Sequence, residues 1–172
     1  MNRPNLWLLM AIILFATIGS AEAQKKKRKK KKEDTSVLKL YEGPELPADQ
    51  VVRLNCDDLG KQYAYFIGVD DEKIENNSLM NGAKQIALLA GEHKIQVRFV
   101  AKGKIAIPIQ PFDPLSFDPG QSYQVKFEYT PGENVGGYFA DAQGTRIKLW
   151  IESDGKKLTE MMVDGFGERL DE

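Results

Sequence analysis

The sequence predicts an all-β protein, a single small β-sandwich of about seven short and mainly antiparallel strands. Two stretches support this most clearly, because apolar and polar residues alternate strictly over residues 93–99 and 123–129. Turn-forming glycine, proline, asparagine and aspartate residues separate these stretches from several shorter β-forming runs. The body of the sequence shows no apolar stripe with helical spacing. Its length of about 120 residues suffices for one core and is too short for two domains.

The N-terminus predicts export. Arg3, the apolar residues 6–18 and the Ala21-Glu22-Ala23 site match the three regions of a signal peptide, so we assign residues 1–23 to it. The alternative is an uncleaved membrane anchor. The apolar run is shorter than the roughly 20 residues of a spanning helix, although the positive charge that follows it is typical of a cytoplasmic flank. We favour cleavage before Gln24, because the three regions occur in order.

A basic arm follows, and we expect residues 24–35 to be disordered because like charges repel each other. Its eight consecutive cations are Lys25, Lys26, Lys27, Arg28, Lys29, Lys30, Lys31 and Lys32. Residues 33–172 carry 15 basic and 24 acidic side chains, a net charge of about −9. Two interpretations of the arm stay open: a solvated tail, or a tether to an anionic envelope surface made of lipid headgroups or a polyanionic polymer. Behind a signal peptide, we expect no nucleic-acid partner.

The sandwich is predicted over residues 36–153, and its first strands are residues 51–54 and 63–69, the second ending in an acidic turn. Residues 85–100 are predicted to form a central hairpin that turns at Gly91, which can adopt a positive φ at low cost. His93, Ile95, Val97 and Phe99 then face the core, and Lys94, Gln96 and Arg98 face water. Gly91 and His93 are therefore predicted to be structural turn residues.

The second half of the body continues the pattern. Pro108 restricts the strand at residues 105–109 to a sheet edge, because proline cannot donate a ladder hydrogen bond. A half-buried strand at 123–129, a glycine-rich connection and a final strand at 147–151 follow. Residues 154–172 are predicted to be a loose acidic tail, although Met161, Met162 and Phe166 could cover a patch of sheet.

Several short patterns between residues 36 and 152 resemble a family of small exported bacterial proteins, mostly lipoproteins, with a core similar to the PEGA-type β-sandwich. The patterns are Tyr41-x-Gly43-Pro44, Leu46-Pro47-Ala48, Ile67-Gly68-Val69-Asp70, Leu88-Leu89-Ala90-Gly91-Glu92-His93-x-Ile95-x-Val97 and Pro119-Gly120-Gln121-x-Tyr123. The sequence departs from the family at Ala90 and Asp71, where proline and glycine are usual, and it lacks the lipid-bearing cysteine. The resemblance implies a β-sandwich in the envelope and brings no catalytic activity.

Candidate catalytic residues are few. His93 is the only histidine and Cys56 the only cysteine, so we predict a structural histidine and a small buried thiol. Acidic residues cluster at 57–58 and at 70–75, where solvated turns are favoured over a paired-carboxylate hydrolase or a calcium site. The sequence has no P-loop, GxGxxG, CxxC or HExxH pattern, and we predict no catalytic residue, metal or cofactor. Trp150 breaks the apolar alternation of its strand and is predicted to face outward. Two interpretations stay open: a surface for a protein or glycan partner, or a ring covered by the segment Met161–Phe166.

Together these features predict a non-catalytic, exported binding or structural module of the bacterial cell envelope, periplasmic or extracellular. Its basic arm would attach it to an anionic surface. The carboxylate hydrolase and the membrane-anchored protein remain the alternatives.

Overall fold

The structure is a computed structural model that describes residues 37–75, 82–132 and 142–170. Every regular element in these ranges is a β-strand, which confirms the all-β prediction. The strands are β1 (Leu38–Lys39), β2 (Val52–Cys56), β3 (Gln62–Val69), β4 (Glu72–Lys73), β5 (Gln85–Leu88), β6 (Gly91–His93), β7 (Ile95–Ala101), β8 (Ile105–Pro108), β9 (Leu115–Phe117), β10 (Ser122–Thr130), β11 (Arg146–Ser153) and β12 (Lys156–Asp164). Several are only two to four residues long, so the described strands outnumber those predicted. No helix in the described ranges has the length and apolar character needed to cross a membrane.

Two larger sheets form the sandwich. Sheet A has six strands in the order β1-β5-β2-β10-β11-β12, and sheet B has four in the order β4-β3-β7-β8. The pairs β1–β5 and β2–β10 are parallel and the remaining pairs are antiparallel. A small third sheet pairs β6 with β9. β8 is an edge strand that ends at Pro108, in agreement with the predicted effect of that proline.

The core lies between the two larger sheets, as the alternating sequences predict. Ile147, Leu149 and Ile151 of β11 are fully buried, and their polar neighbours point outward. From the opposite sheet, the Phe99 ring meets the Phe127 ring edge-on, with centroids 5.0 Å apart. Cys56 is a free, buried cysteine in the same core, and burial raises the pKa of its thiol because the thiolate would lose its hydration.

The predicted central hairpin is wrong. β5 belongs to sheet A, where Ile86 pairs with Leu54, whereas β7 belongs to sheet B, where Val97 pairs with Phe66. The chain around Gly91, which has φ 145°, therefore crosses from one sheet to the other, and β6 pairs with β9 on the way. A glycine between two apolar runs, such as Gly91, is compatible with a crossing between sheets and with a hairpin. Two strands with buried faces can pack across the core as well as beside each other.

The chain after Ser153 is not a loose tail. β12 pairs with β11 along its length, and it buries Met161 and Val163 against the core. Asp154 and Gly155 have φ values of 50° and 75°, the positive values that a tight hairpin turn requires. The Asp-Gly pair, which begins the predicted loose tail, is therefore the turn into another strand.

Arg98 also differs from its predicted position in water. It is half-buried on the outer face of sheet B, where Nη1 donates a hydrogen bond to the Tyr65 hydroxyl at 3.2 Å. The Tyr65 ring is itself fully buried, and Gly82 lies against it so closely that a Cβ there would come within 2.3 Å. The outer face of sheet B is thus partly covered, and strand alternation alone does not predict such a cover.

Candidate functional site

His93 is the last residue of β6, at the point where the chain crosses between the sheets. Its Nδ1 atom lies 2.6 Å from Oδ2 of Asp70, and its Nε2 atom lies 3.0 Å from the carbonyl oxygen of Leu89. Both partners are acceptors, so both ring nitrogens donate only when the imidazole carries two protons. The ring also lies beside Phe117, with centroids 6.2 Å apart. His93 thereby joins the end of β5 to the turn between β3 and β4.

Asp70 and Asp71 form that turn, with φ values of 53° and 68° that aspartate tolerates better than most residues. Besides its contact with His93, Asp70 accepts a hydrogen bond from the backbone N–H of Lys94 at 2.8 Å. Asp71 makes a looser contact, 3.3 Å from Nζ of Lys94, and its side chain is 70% exposed. The first carboxylate is therefore part of the fold, and the second is largely solvated.

An open cleft of about 780 Å³ lies beside the pair of His93 and Asp70, and we call it the acidic cleft. β1 and the residues that follow it, the β3–β4 hairpin and the end of β5 form its walls. Its apolar lining residues are Leu38, Leu40, Val69, Ile74, Leu88 and Leu89. Its carboxylates are Glu42, Asp70, Glu72 and Glu75. The cleft combines an apolar surface with excess negative charge.

The wall that contains Tyr41 is held by several contacts. The Tyr41 hydroxyl accepts a hydrogen bond from the backbone of Leu46 at 3.2 Å, and Nζ of Lys39 lies 4.7 Å from the ring centroid. The Lys39 ammonium also donates to the carbonyl oxygen of Gly43. Next to it, the backbone of Leu40 donates to Ala87 in β5 at 3.0 Å. This wall is therefore fixed to sheet A before any ligand binds.

Trp150 lies on the outer face of sheet A, but it is half-buried. Its Nε1 atom donates to Glu152 at 2.8 Å, and Nζ of Lys157 lies 5.0 Å from its ring centroid. Glu152 also pairs with Lys126 at 2.8 Å, and a second carboxylate, Glu160, pairs with Lys157 at 2.5 Å. Charged side chains therefore surround the indole, which is a less accessible stacking platform than the sequence suggests.

The ion pairs around Trp150 shift the titration of their members. The hydrogen bond from Lys126 lowers the pKa of the Glu152 carboxyl most, and the hydrogen bond from Trp150 lowers it further. The contact between Lys126 and Glu152 also raises the pKa of Lys126. Hydrogen bonds from Lys157 and Lys148 lower the pKa of Glu160. These carboxylates are held in their charged form on the surface of the sheet.

The acidic cluster at residues 57–58 is also held by hydrogen bonds and an ion pair. Asp57 accepts a hydrogen bond from Nε2 of Gln124 at 2.5 Å. Asp58 contacts the Lys84 ammonium and accepts from the Gly60 backbone at 2.8 Å, and these two contacts lower the pKa of its carboxyl. Within the described ranges, no group of three or more His, Cys, Asp or Glu side chains has the arrangement of a metal site.

A cluster of aromatic and basic side chains on sheet B was not predicted. Nζ of Lys84 and Nζ of Lys102 lie 5.0 and 5.4 Å from the Tyr63 ring centroid, and the Arg98 guanidinium lies 5.9 Å from that of Tyr65. Two strands, β3 and β7, bring these residues together with Lys84, which precedes β5, and Lys102, which follows β7. Their sequence spacing therefore carries no signal of the cluster.

The basic arm at Lys25–Lys32 lies outside the described residues, as does the signal-peptide segment. No family model matches the chain, and neither the curated proteins nor the solved structures contain a match to it. The PEGA-type resemblance therefore stays a prediction from the sequence patterns alone.

Proposed function

We propose that this protein is a non-catalytic β-sandwich module exported to the bacterial cell envelope, where its basic arm attaches it to an anionic surface. The observation that carries the proposal is the division of charge along the chain. Eight consecutive cations at residues 25–32 precede a body with 15 basic and 24 acidic side chains. An anionic surface attracts the first region and repels the second, so the arm is the natural point of attachment.

Contacts in the folded body support this assignment. On the outer face of sheet A, Lys126 pairs with Glu152 at 2.8 Å and Lys148 with Glu160 at 3.3 Å. A cation that is already paired gains less from an external anion, because it must first give up its partner or share it. The basic arm has eight like charges in sequence and a single nearby pair of acidic residues, Glu33 and Asp34.

The alternative of a paired-carboxylate hydrolase has less support. Such an enzyme requires a general acid whose pKa lies above its ordinary value. The pKa of Asp58 is shifted the opposite way, by hydrogen bonds from Lys84 and Gly60. Asp70 already contacts His93 and accepts a hydrogen bond from the backbone N–H of Lys94.

Binding to vesicles tests the attachment. The chain from Gln24 should sediment with vesicles that contain phosphatidylglycerol at about 0.1 M salt, and it should be released at about 1 M, because the Debye length falls from about 10 Å to about 3 Å. A variant with glutamine at all eight positions 25–32 should stay in solution at both salt concentrations, as should a chain that starts at Glu33. Vesicles of phosphatidylcholine alone are the control for surface charge.

Equal sedimentation of the glutamine variant and the chain from Gln24 would overturn the attachment by the arm. An intact-mass measurement on the envelope fraction tests export separately. A mass that corresponds to a start at Gln24 supports the signal peptide. A membrane-extracted protein that retains residues 1–23 would instead favour the membrane-anchored alternative.

A further inference from the structure

We propose that the acidic cleft binds a small amphipathic organic cation, an ammonium or guanidinium group carried on an aliphatic or aromatic body. The inference concerns the folded body and does not depend on the basic arm. It depends on three properties of the cleft: its apolar floor, its unpaired carboxylates and its fixed walls.

The floor provides the apolar part of the site. Ile74 and Leu88 are 6% and 2% exposed at its base, whereas Leu38 and Leu89 are 36% and 47% exposed at its edge. Exposed leucines that border a concave surface mark a place where a ligand can remove apolar area from water. The volume of about 780 Å³ is within the range of sites for small molecules.

The carboxylates specify the charge of the ligand. None of Glu42, Glu72 and Glu75 lies within 4.0 Å of a basic side chain among the described residues. Lys73 and His93 are the basic residues of the lining, and His93 already contacts the carboxylate of Asp70. The lining therefore attracts a cation and repels an anion, and the net negative charge of the body adds to both effects.

The walls are held in place without a ligand. His93 connects Leu89 on one side of the cleft to Asp70 on another, and the Tyr41 wall is hydrogen-bonded to its own loop and to sheet A. A preformed site loses little conformational entropy when a ligand binds. His93 and Tyr41 therefore hold two walls of the cleft in place.

The size of the cleft favours a small molecule over a basic peptide. A peptide would bury a wider strip of surface than the lining provides and would need a long free strand edge for its backbone. β1 and β4, the strand edges in this lining, are each only two residues long.

Three six-carbon probes test the inference on the chain from Gln24. Hexylamine, 1-hexanol and hexanoate share an apolar chain and differ in charge, and the amine is protonated at pH 7 because its pKa is about 10, as for lysine. NMR titration at low salt should show saturable binding of hexylamine at cleft residues. Hexanol should bind about fivefold more weakly and hexanoate more weakly still, because each lacks attraction to the carboxylates.

Variants locate the site. Glu42→Gln together with Glu72→Gln should weaken hexylamine binding by about fivefold, and the binding of hexanol should not change. Glu128→Gln together with Asp154→Asn removes the same charge away from the cleft and is the matched control. Leu89→Gln should weaken binding of both probes, since it removes apolar surface. Thermal unfolding of each variant establishes that the fold is intact.

Three results would overturn the proposal: equal affinities for the three probes, an unchanged hexylamine affinity in the cleft variant, or an equal loss in the control variant. Binding of a lysine- and leucine-rich peptide without binding of hexylamine would identify the cleft as a peptide groove instead, which also contradicts the proposal. The vesicle experiment uses other residues and another ligand, so either proposal can fail without the other.

Discussion

Oδ2 of Asp70 lies 2.6 Å from Nδ1 of His93, so one carboxylate joins the turn of a sheet-B hairpin to the chain that crosses between the sheets. The same side chain accepts the backbone N–H of Lys94 through Oδ1. Leu89 completes the connection from the sheet-A side through its carbonyl oxygen. This small network fixes the crossing that replaces the predicted hairpin, and it forms one end of the acidic cleft.

The first prediction concerns this network. Asp70→Asn preserves a residue that tolerates the positive φ and removes the charged acceptor of His93, so it should lower the free energy of unfolding by about 1 kcal/mol. Asp71→Asn is the matched control on the same turn, and it should change stability by less than about 0.5 kcal/mol because Asp71 is largely exposed. Urea denaturation of both variants measures the difference. Equal effects would mean that the His93 contact contributes nothing to the fold.

The sequence predicts the fold class and the faces of the long strands well, because alternation directly reports which side of a strand is buried. It does not predict which strands pair. Gly91 is compatible with a crossing between sheets and with a hairpin. Which of the two forms depends on the strands that pair with β5 and β7, and these are β2 and β3. The Asp154-Gly155 hairpin was predictable, since this dipeptide is a strong hairpin signal.

The candidate site was predicted only in part. His93 and the acidic turn are visible in the sequence, but the cleft beside them joins residues 38–42 to residues 69–75 and 88–93. Such a surface depends on the three-dimensional arrangement and has no local sequence signal. The accessibility of Trp150 was left open by the sequence, because Lys157, which lies over its ring, belongs to a strand that was interpreted as a loose tail.

The second prediction tests the buried face of β10. Val125→Asp places an unpaired charge at a fully buried position and should destabilise the domain by several kcal/mol, because a buried charge without a partner is very costly. Thr130→Asp introduces the same residue at an exposed position of the same strand, and its effect should stay within about 0.5 kcal/mol. Thermal unfolding compares the two. Similar unfolding temperatures would contradict the observed orientation of the strand.

The third prediction concerns pH. The pKa of Glu152 lies below its ordinary value of 4.5, so its ion pair with Lys126 stabilises the fold above that pH and is lost as the pH falls through the lowered pKa. Trp150 donates to the same carboxylate and is the only tryptophan of a chain that starts at Gln24. Its fluorescence should therefore change with a midpoint below 4.5.

Three variants test the origin of this fluorescence change. Lys126→Met removes the hydrogen bond that lowers the pKa most, and it should move the fluorescence midpoint upward. Glu152→Gln removes the carboxylate that Trp150 contacts and should greatly reduce the transition, whereas Glu128→Gln on the neighbouring strand should leave it in place. A midpoint that does not respond to Lys126→Met would show that another group causes the signal.

The fourth prediction concerns the segment after β12, which folds back and connects the edges of both sheets. The backbone N–H of Leu170 donates to Met162 at 2.9 Å, and Nη1 of Arg169 donates to Asp113, beyond the end of β8, at 3.1 Å. Gly167 approaches the Pro108 carbonyl oxygen so closely that a Cβ would come within 2.3 Å. This contact needs glycine both for its space and for its φ of 89°.

Deletion of residues 165–172 should therefore destabilise the domain by about 2–4 kcal/mol, because several hydrogen bonds that connect the sheet edges are lost together. Deletion of residues 171–172 alone is the control and should have no measurable effect on stability, since these contacts all involve residues up to Leu170. The larger deletion also uncovers backbone groups at the end of β12, so the shortened chain should aggregate sooner on heating. Calorimetry and light scattering measure both effects. A shortened chain with the stability of the full one would mean that the returning segment rests on the sandwich without contributing to it.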